Sequence, residues 1–182
     1  MLTSWVVMPT CLPLIVRRCH TCASERLRAN GKFRVNAHHK LLDAWLLAFC
    51  TGCGATAKLP VLERVNVRSV RPALLARLHG NDPGLAAELL RDPVVRRRDR
   101  IALDWDDAWR LDIGGSDYLD REVIDVEVRF AARIPVRPVR LIAEGCGLSR
   151  AEVERLIVAG KLVSGVRLTG KLSDGFTFTL KR

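Results

Sequence analysis

Apolar and polar residues alternate along the early part of the chain and then recur at three- to four-residue intervals, a change of period that predicts strands first and helices after them. Residues 4–9 and 12–16 are short apolar stretches kept apart by Pro9 and Pro13. Residues 32–37 place Phe33, Val35 and Ala37 on one side and Lys32, Arg34 and Asn36 on the other, so this segment reads as a half-buried strand. Asn30-Gly31 just before it predicts a tight hairpin turn. Residues 44–50 and 57–67 continue the pattern as two further strands.

From Arg71 the period becomes helical. Pro72 suits a first helical position, Leu74, Leu75 and Leu78 form an apolar stripe, and Gly80 marks the stop. Asp82-Pro83 opens a second helix, with Leu85, Ala86, Leu89 and Leu90 facing inward, and Asp92-Pro93 opens a short third one over residues 94–100. Residues 121–132 return to alternation, with Ile124, Val126, Val128 and Phe130 on one face. Pro135 and Pro138 bracket what reads as a linker, and Pro138 suits the start of a helix. Ala143, Gly147, Ser149 and Val153 then follow at the spacing of a helix-turn-helix, and Ser149 with Glu152 makes a capping box for a helix over residues 150–159. Two short strands, 161–169 and 175–180, end the chain around a turn at Ser173-Asp174-Gly175. Phe176 and Phe178 alternate in the second of these, as core residues or as stacking platforms.

These elements predict an α+β fold with three parts. Residues 1–70 form a zinc ribbon-like β module, 71–133 a helical acidic connector ending in a strand, and 134–182 a basic helix pair with a small sheet. Composition agrees with a folded chain, since 48% of the 182 residues are apolar and 27% charged. The apolar start carries its arginines, Arg17 and Arg18, after the apolar stretch rather than before it, which is the wrong order for an export signal. The run 41–50 is too short to span a bilayer and contains Asp43. The expectation is a cytoplasmic protein with no membrane contact.

Charge sharpens the picture. The formal net charge is +10, and it is unevenly spread. Residues 1–68 hold ten Lys/Arg against three carboxylates, 69–132 ten against thirteen, and 133–182 ten against four. Two basic ends flank an acidic middle, which points to a polyanionic partner, RNA or DNA.

Six cysteines include two Cys-x-x-Cys pairs, Cys19/Cys22 and Cys50/Cys53. Two residues between thiolates let both reach one ion at about 2.3 Å, and two such knuckles complete a tetrahedron around Zn2+. Four protein ligands leave no open position, so the expected zinc is structural rather than catalytic. Redox-active dithiols are the competing reading, and they require a cysteine pair at a helix N-terminus. His20, His38 and His39 are alternative ligands or surface turn residues; Cys11 and Cys146 are expected as buried free thiols.

Ten carboxylates lie between Asp99 and Glu127, including Asp104, Asp106, Asp107, Asp112, Asp117 and Asp120. They match no calcium loop and have no neighbouring His or Lys to act with, so an acid/base site there is the lesser reading and a charge-balancing polar loop the greater. Arg96, Arg97, Arg98 and Arg100 read as a solvated helix end. Nothing in the sequence assigns an enzymatic activity.

Two resemblances follow from particular residues. The run Leu148-Ser149-Arg150-Ala151-Glu152-Val153-Glu154-Arg155-Leu156-Ile157-Val158-Ala159-Gly160-Lys161, with Val163-Ser164-Gly165 after it, resembles the second helix and exit of the small RNA-binding domain first named from a ribosomal small-subunit protein and shared by many pseudouridine synthases. Pro138-Val139-Arg140-Leu141 stands where that domain has Arg-Leu-Asp. A winged helix-turn-helix fits the same order of elements. Either resemblance implies nucleic-acid contact, here from Arg150, Arg155, Lys161, Arg167 and Lys171. Residues 33–58, including Asn36-Ala37-His38-His39-Lys40, and 100–112 are also similar to an uncharacterised bacterial family known only by a domain-of-unknown-function label. That resemblance carries no activity. The combined expectation is a zinc-containing nucleic-acid-binding or regulatory protein; the alternative is a non-enzymatic interaction factor that docks a protein partner on its ribbon.

Overall fold

The computed structural model describes residues 2–115 and 121–181. It is an α+β protein whose chain forms two compact units, Leu12–Asp104 in one and the two ends of the chain, up to Cys11 and from Trp105, in the other. These boundaries differ from the three consecutive parts expected from sequence. The reason is long-range strand pairing, to which local pattern is blind.

In the Leu12–Asp104 unit, β2 (Leu14–Val16), β3 (Arg26–His38), β4 (Leu41–Cys50), β5 (Thr56–Asn66) and β6 (Ala102–Asp104) form an antiparallel sheet of order β5-β4-β3-β2-β6. One face is apolar at every second position: Leu27 and Ala29 on β3, Leu46 and Ala48 on β4, Leu59 on β5. Helices α1 (Pro72–His79) and α2 (Pro83–Arg91) bring Leu78, Leu85, Ala86 and Leu90 onto that face. A third helix, α3 (Pro93–Arg98), follows. Asp82 caps α2 by accepting from the Gly84 and Leu85 N–H groups, and Asp92 caps α3 by accepting from Val94.

The Asn30-Gly31 turn is a correction. β3 runs straight through it, and the dipeptide makes a bulge between Ala29 and Phe33, with Gly31 at φ +78°. The bulge removes the Phe33 N–H from the ladder, and Asn81 Oδ1 accepts it at 2.7 Å. The hairpin reverses instead at His39, which takes φ +55° without being glycine.

The second unit is a five-stranded sheet of order β7-β1-β8-β10-β9, built from β1 (Leu2–Pro9), β7 (Trp109–Asp112), β8 (Val123–Phe130), β9 (Leu162–Ser164) and β10 (Phe176–Lys181). β1 is parallel to β8 and antiparallel to β7, so the first strand of the chain sits inside a sheet made otherwise from its second half. β10 pairs with β8 as well as β9, which ties the 134–182 segment into this sheet instead of leaving it a separate module. Residues 134–137 are likewise not a linker: Ile134 and Val136 are buried, and Val136 bridges to Leu172.

Helices α4 (Pro138–Cys146) and α5 (Arg150–Val158) meet at Gly147, whose φ of +67° lets its N–H close the end of α4. The Ser149/Glu152 capping box is present in both directions. Phe176 and Phe178 are both core residues, with Trp5 edge-on to Phe178 at 5.3 Å. Among the described residues no helix is long and apolar enough to cross a membrane.

Two outcomes test this packing. A Cβ on Gly145 would stand 2.4 Å from the buried Trp5 ring, so α4 approaches that closely only without a side chain. Gly145→Ala should destabilise by about 1–3 kcal/mol, read as a lower urea midpoint. In the other unit, Arg77 donates to both Asp82 and Glu88 and holds both carboxyls below their usual range. A depressed carboxyl stabilises the fold above its unfolded pKa and loses that contribution as pH falls, so the stability gap between the native protein and Arg77→Met should narrow from about pH 6 to about pH 3.

Candidate metal centre and basic groove

The two Cys-x-x-Cys pairs occupy equivalent loops at one end of the Leu12–Asp104 sheet. Cys19 and Cys22 lie between β2 and β3, while Cys50 ends β4 and Cys53 lies in the loop to β5. Because Leu27 pairs with Cys50, both loops emerge side by side. The Thr51 N–H donates to the Arg26 carbonyl at 3.0 Å and ties them together.

The loops share a local design. Cys19 donates its N–H to Ser24 O and Cys50 donates its N–H to Ala55 O, closing each turn. The N–H two residues after each first cysteine points at its sulfur: Thr21 to Cys19 at 3.4 Å, Gly52 to Cys50 at 3.3 Å. The residue after each second cysteine is left-handed, Ala23 at φ +58° and Gly54 at φ +73°. Gly54 is legible as such a position from sequence; Ala23 is not.

All four sulfurs lie within 4.8 Å of one another. Cys19 Sγ is 3.8 Å from Cys53 Sγ, and Cys22 Sγ is 3.5 Å from Cys50 Sγ. Metal–sulfur bonds of about 2.3 Å in a tetrahedron put sulfurs roughly 3.8 Å apart, whereas a disulfide needs about 2.05 Å. The donor set therefore fits one four-coordinate ion, with Cys19 and Cys50 buried and Cys22 and Cys53 facing outward. Neither pair begins a helix, as a redox dithiol would require.

Electrostatics argue the same way. The Cys50 thiol is pushed down to about 6, first by the Cys53 N–H and with help from the Gly52 N–H. Cys19 is lowered by the N–H groups of Cys22 and Thr21. Cys53 goes the other way: the Ala55 N–H favours its thiolate, but the neighbouring Cys22 sulfur and desolvation outweigh that and push it up to about 12. Backbone N–H groups thus favour the thiolate at Cys19, Cys50 and Cys53, and at Cys53 the neighbouring sulfur opposes it. A divalent cation removes that opposition.

The other candidate ligands do not join this cluster. His38 and His39 stack edge to face at 4.4 Å on the β3–β4 hairpin, and the cysteines are the one such group of four among the described residues. Cys146 is buried as expected, but Cys11 is exposed. The acidic residues are dispersed among structural partners. Asp104 pairs with Arg26 at 3.1 Å, Asp106 lies 3.5 Å from Lys171 and 3.9 Å from Arg140, and Asp112 accepts from the Gly114 N–H. Asp117 and Asp120 lie outside the described residues. The stretch is also less a polar loop than expected, since Trp105 and Trp109 are buried. Of the four arginines at the end of α3, Arg98 pairs with Asp99 and donates to the Pro60 carbonyl.

In the other unit, α4, α5 and the segment after β9 enclose an open groove of about 840 Å³. Arg150 and Arg167 line it, as do Arg137, expected in the linker, and Arg140, expected in the helix that Pro138 starts; neither carries a binding role in the sequence reading. Their spacing on either side of Pro138, at the first turn of α4, was the available signal. Glu154 is the one carboxylate in the lining. Arg155 and Lys161 are exposed but do not line the groove, and Lys171 is engaged by Asp106.

The expected metal outcome is direct. Native mass spectrometry of the full chain should find a single divalent ion, and Cys50→Ser should lose it; an apo chain with unchanged unfolding behaviour would contradict a folding role.

The family described as "Protein of unknown function (DUF1062)" matches this chain over residues 35–167, a span that includes Cys50, Cys53 and both groove helices. No curated protein and no solved structure matches it.

Proposed function

The chain belongs to that family, whose description names no activity, and from there we propose a zinc-stabilised nucleic-acid-binding or regulatory protein. Cys19, Cys22, Cys50 and Cys53 hold the ion, and Zn2+ is favoured because four thiolates in a closed tetrahedral set suit it. The bound ion supplies folding energy, on the order of 10 kcal/mol in small zinc modules.

The observation that carries the binding half is the groove lined by Arg137, Arg140, Arg150 and Arg167, where Glu154 is the one carboxylate in the lining and Asp106 approaches Arg140 at 3.9 Å. Guanidinium groups suit phosphate through paired N–H donors, and an open groove admits a continuous backbone. Arg155 and Lys161 extend the positive surface beside it. A second reading is supported by the same place: Val158, Val163 and Val166 are 89%, 53% and 40% exposed, apolar area that a protein partner would cover.

Salt separates the two. Four neutralised phosphates imply an affinity loss from 50 to 200 mM salt of about fiftyfold for a single strand and about 150-fold for a duplex, whereas apolar docking is almost insensitive. Fluorescence anisotropy with labelled RNA and DNA should show that fall, and Arg150→Ala with Arg167→Ala should reduce the slope by about two. Absence of binding at low salt would end the nucleic-acid reading.

A further inference from the structure

A different surface, in the unit that holds the cysteines, has the chemistry of a single-strand site. The sheet β5-β4-β3-β2-β6 has one face under α1 and α2, and alternation sends the remaining side chains of β3, β4 and β5 to the other. On β4 that second face presents Trp45, Leu47 and Phe49, all half-buried and all outside the helix-covered core clusters.

Cations surround it. Arg28 pairs across from Phe49, Arg34 across from Trp45, and Lys58 across from Leu47. All three are exposed, and among the described residues none forms an ion pair with a carboxylate. Lys58 Nζ stands over the Trp45 ring, 5.1 Å from its centroid, so a base that stacks on this ring takes the lysine's place and frees it for a phosphate. Asp43, on the same strand, accepts the Arg64 N–H at 2.8 Å and keeps its charge, while Asp104 is neutralised by Arg26 at 3.1 Å.

We infer that this face binds single-stranded nucleic acid, with bases stacking on Trp45 and Phe49 and phosphates meeting Arg28, Arg34 and Lys58. The two rings are four residues apart on one strand, about 13 Å along it, so they offer separate platforms rather than one pocket. Every base has a π-face, so recognition is tolerant of sequence and selective against duplex, whose bases are already stacked. Charge decides the occupant. An apolar protein partner would leave three unpaired cations desolvated against it, whereas a phosphate backbone neutralises them. The site is independent of the α4/α5 groove.

The test uses the zinc-loaded chain of 182 residues and a fluorescein-labelled oligothymidylate of about 20 nucleotides. Trp5, Trp105 and Trp109 are buried and Trp109 lies under the groove residue Arg140, so the part of the tryptophan quench that disappears in Trp45→Leu is the part that reports Trp45. Binding at about 50 mM salt should quench that emission, weaken roughly twentyfold by 200 mM, and resist competition by duplex of equal length. Trp45→Leu should lose between about fivefold and a hundredfold in affinity together with the quench, and Trp45→Phe should restore affinity. Arg28→Ala with Arg34→Ala, two exposed changes that leave the core intact, should weaken binding in parallel. Arg150→Ala with Arg167→Ala should leave the quench in place. The inference is overturned if the oligothymidylate does not bind, if duplex displaces it equally, or if only the groove variant loses binding; that last result would leave the groove reading standing alone. Loss confined to the sheet-face variants would sink the groove and keep this site.

Discussion

The register that sets Leu27 opposite Cys50 is the constraint on which the cysteine-bearing unit depends. It aligns the β2–β3 and β4–β5 loops so that four sulfurs fall within 4.8 Å, and it also puts Leu27, Ala29, Leu46 and Ala48 on the helix-covered face. A slip of one residue would turn every one of those side chains to the opposite face and separate the thiols at the same time. The convergence of four thiols and the formation of the core are thus two consequences of one pairing. An ion that favours four converging thiolates favours the register that buries the leucines.

The bulge at Ala29/Phe33 shows how the unit reconciles a long strand with that register. Two extra residues on β3 bend the strand and leave the Phe33 N–H to the α1–α2 connection, where Asn81 accepts it. The same connection carries the Arg77–Asp82–Glu88 cluster. The helices therefore do more than cover a face; their junction completes the hydrogen bonding of the sheet. In the other unit the equivalent close fit is steric, with Gly145 of α4 placed over the Trp5 ring.

Basic character is concentrated on two surfaces of different kind. The α4/α5 groove is a concave arrangement of guanidinium groups with exposed valines at its edge, suited to a backbone. The open sheet face is flatter and combines cations with aromatic rings, suited to unstacked bases. The distribution, rather than the net charge of +10, distinguishes the two proposed sites.

The sequence by itself determined the elements whose causes are local. Pro72, Pro83 and Pro93 started helices, Asp82 and Ser149 capped them, Gly147 ended α4, and the two Cys-x-x-Cys spacings defined the donor set before any fold was known. Its errors were of one type. Asn30-Gly31 has the chemistry of a turn, yet tertiary pairing draws β3 through it; residues 134–137 have the prolines of a linker, yet Ile134 and Val136 are core. Only the tertiary structure decided that β1 belongs between β7 and β8, that β10 closes onto β8, and that Trp45, Phe49, Arg28, Arg34 and Lys58 share a face. Those facts depend on contacts between residues far apart in the chain, and such contacts leave no trace in local hydrophobic period, cap or turn chemistry.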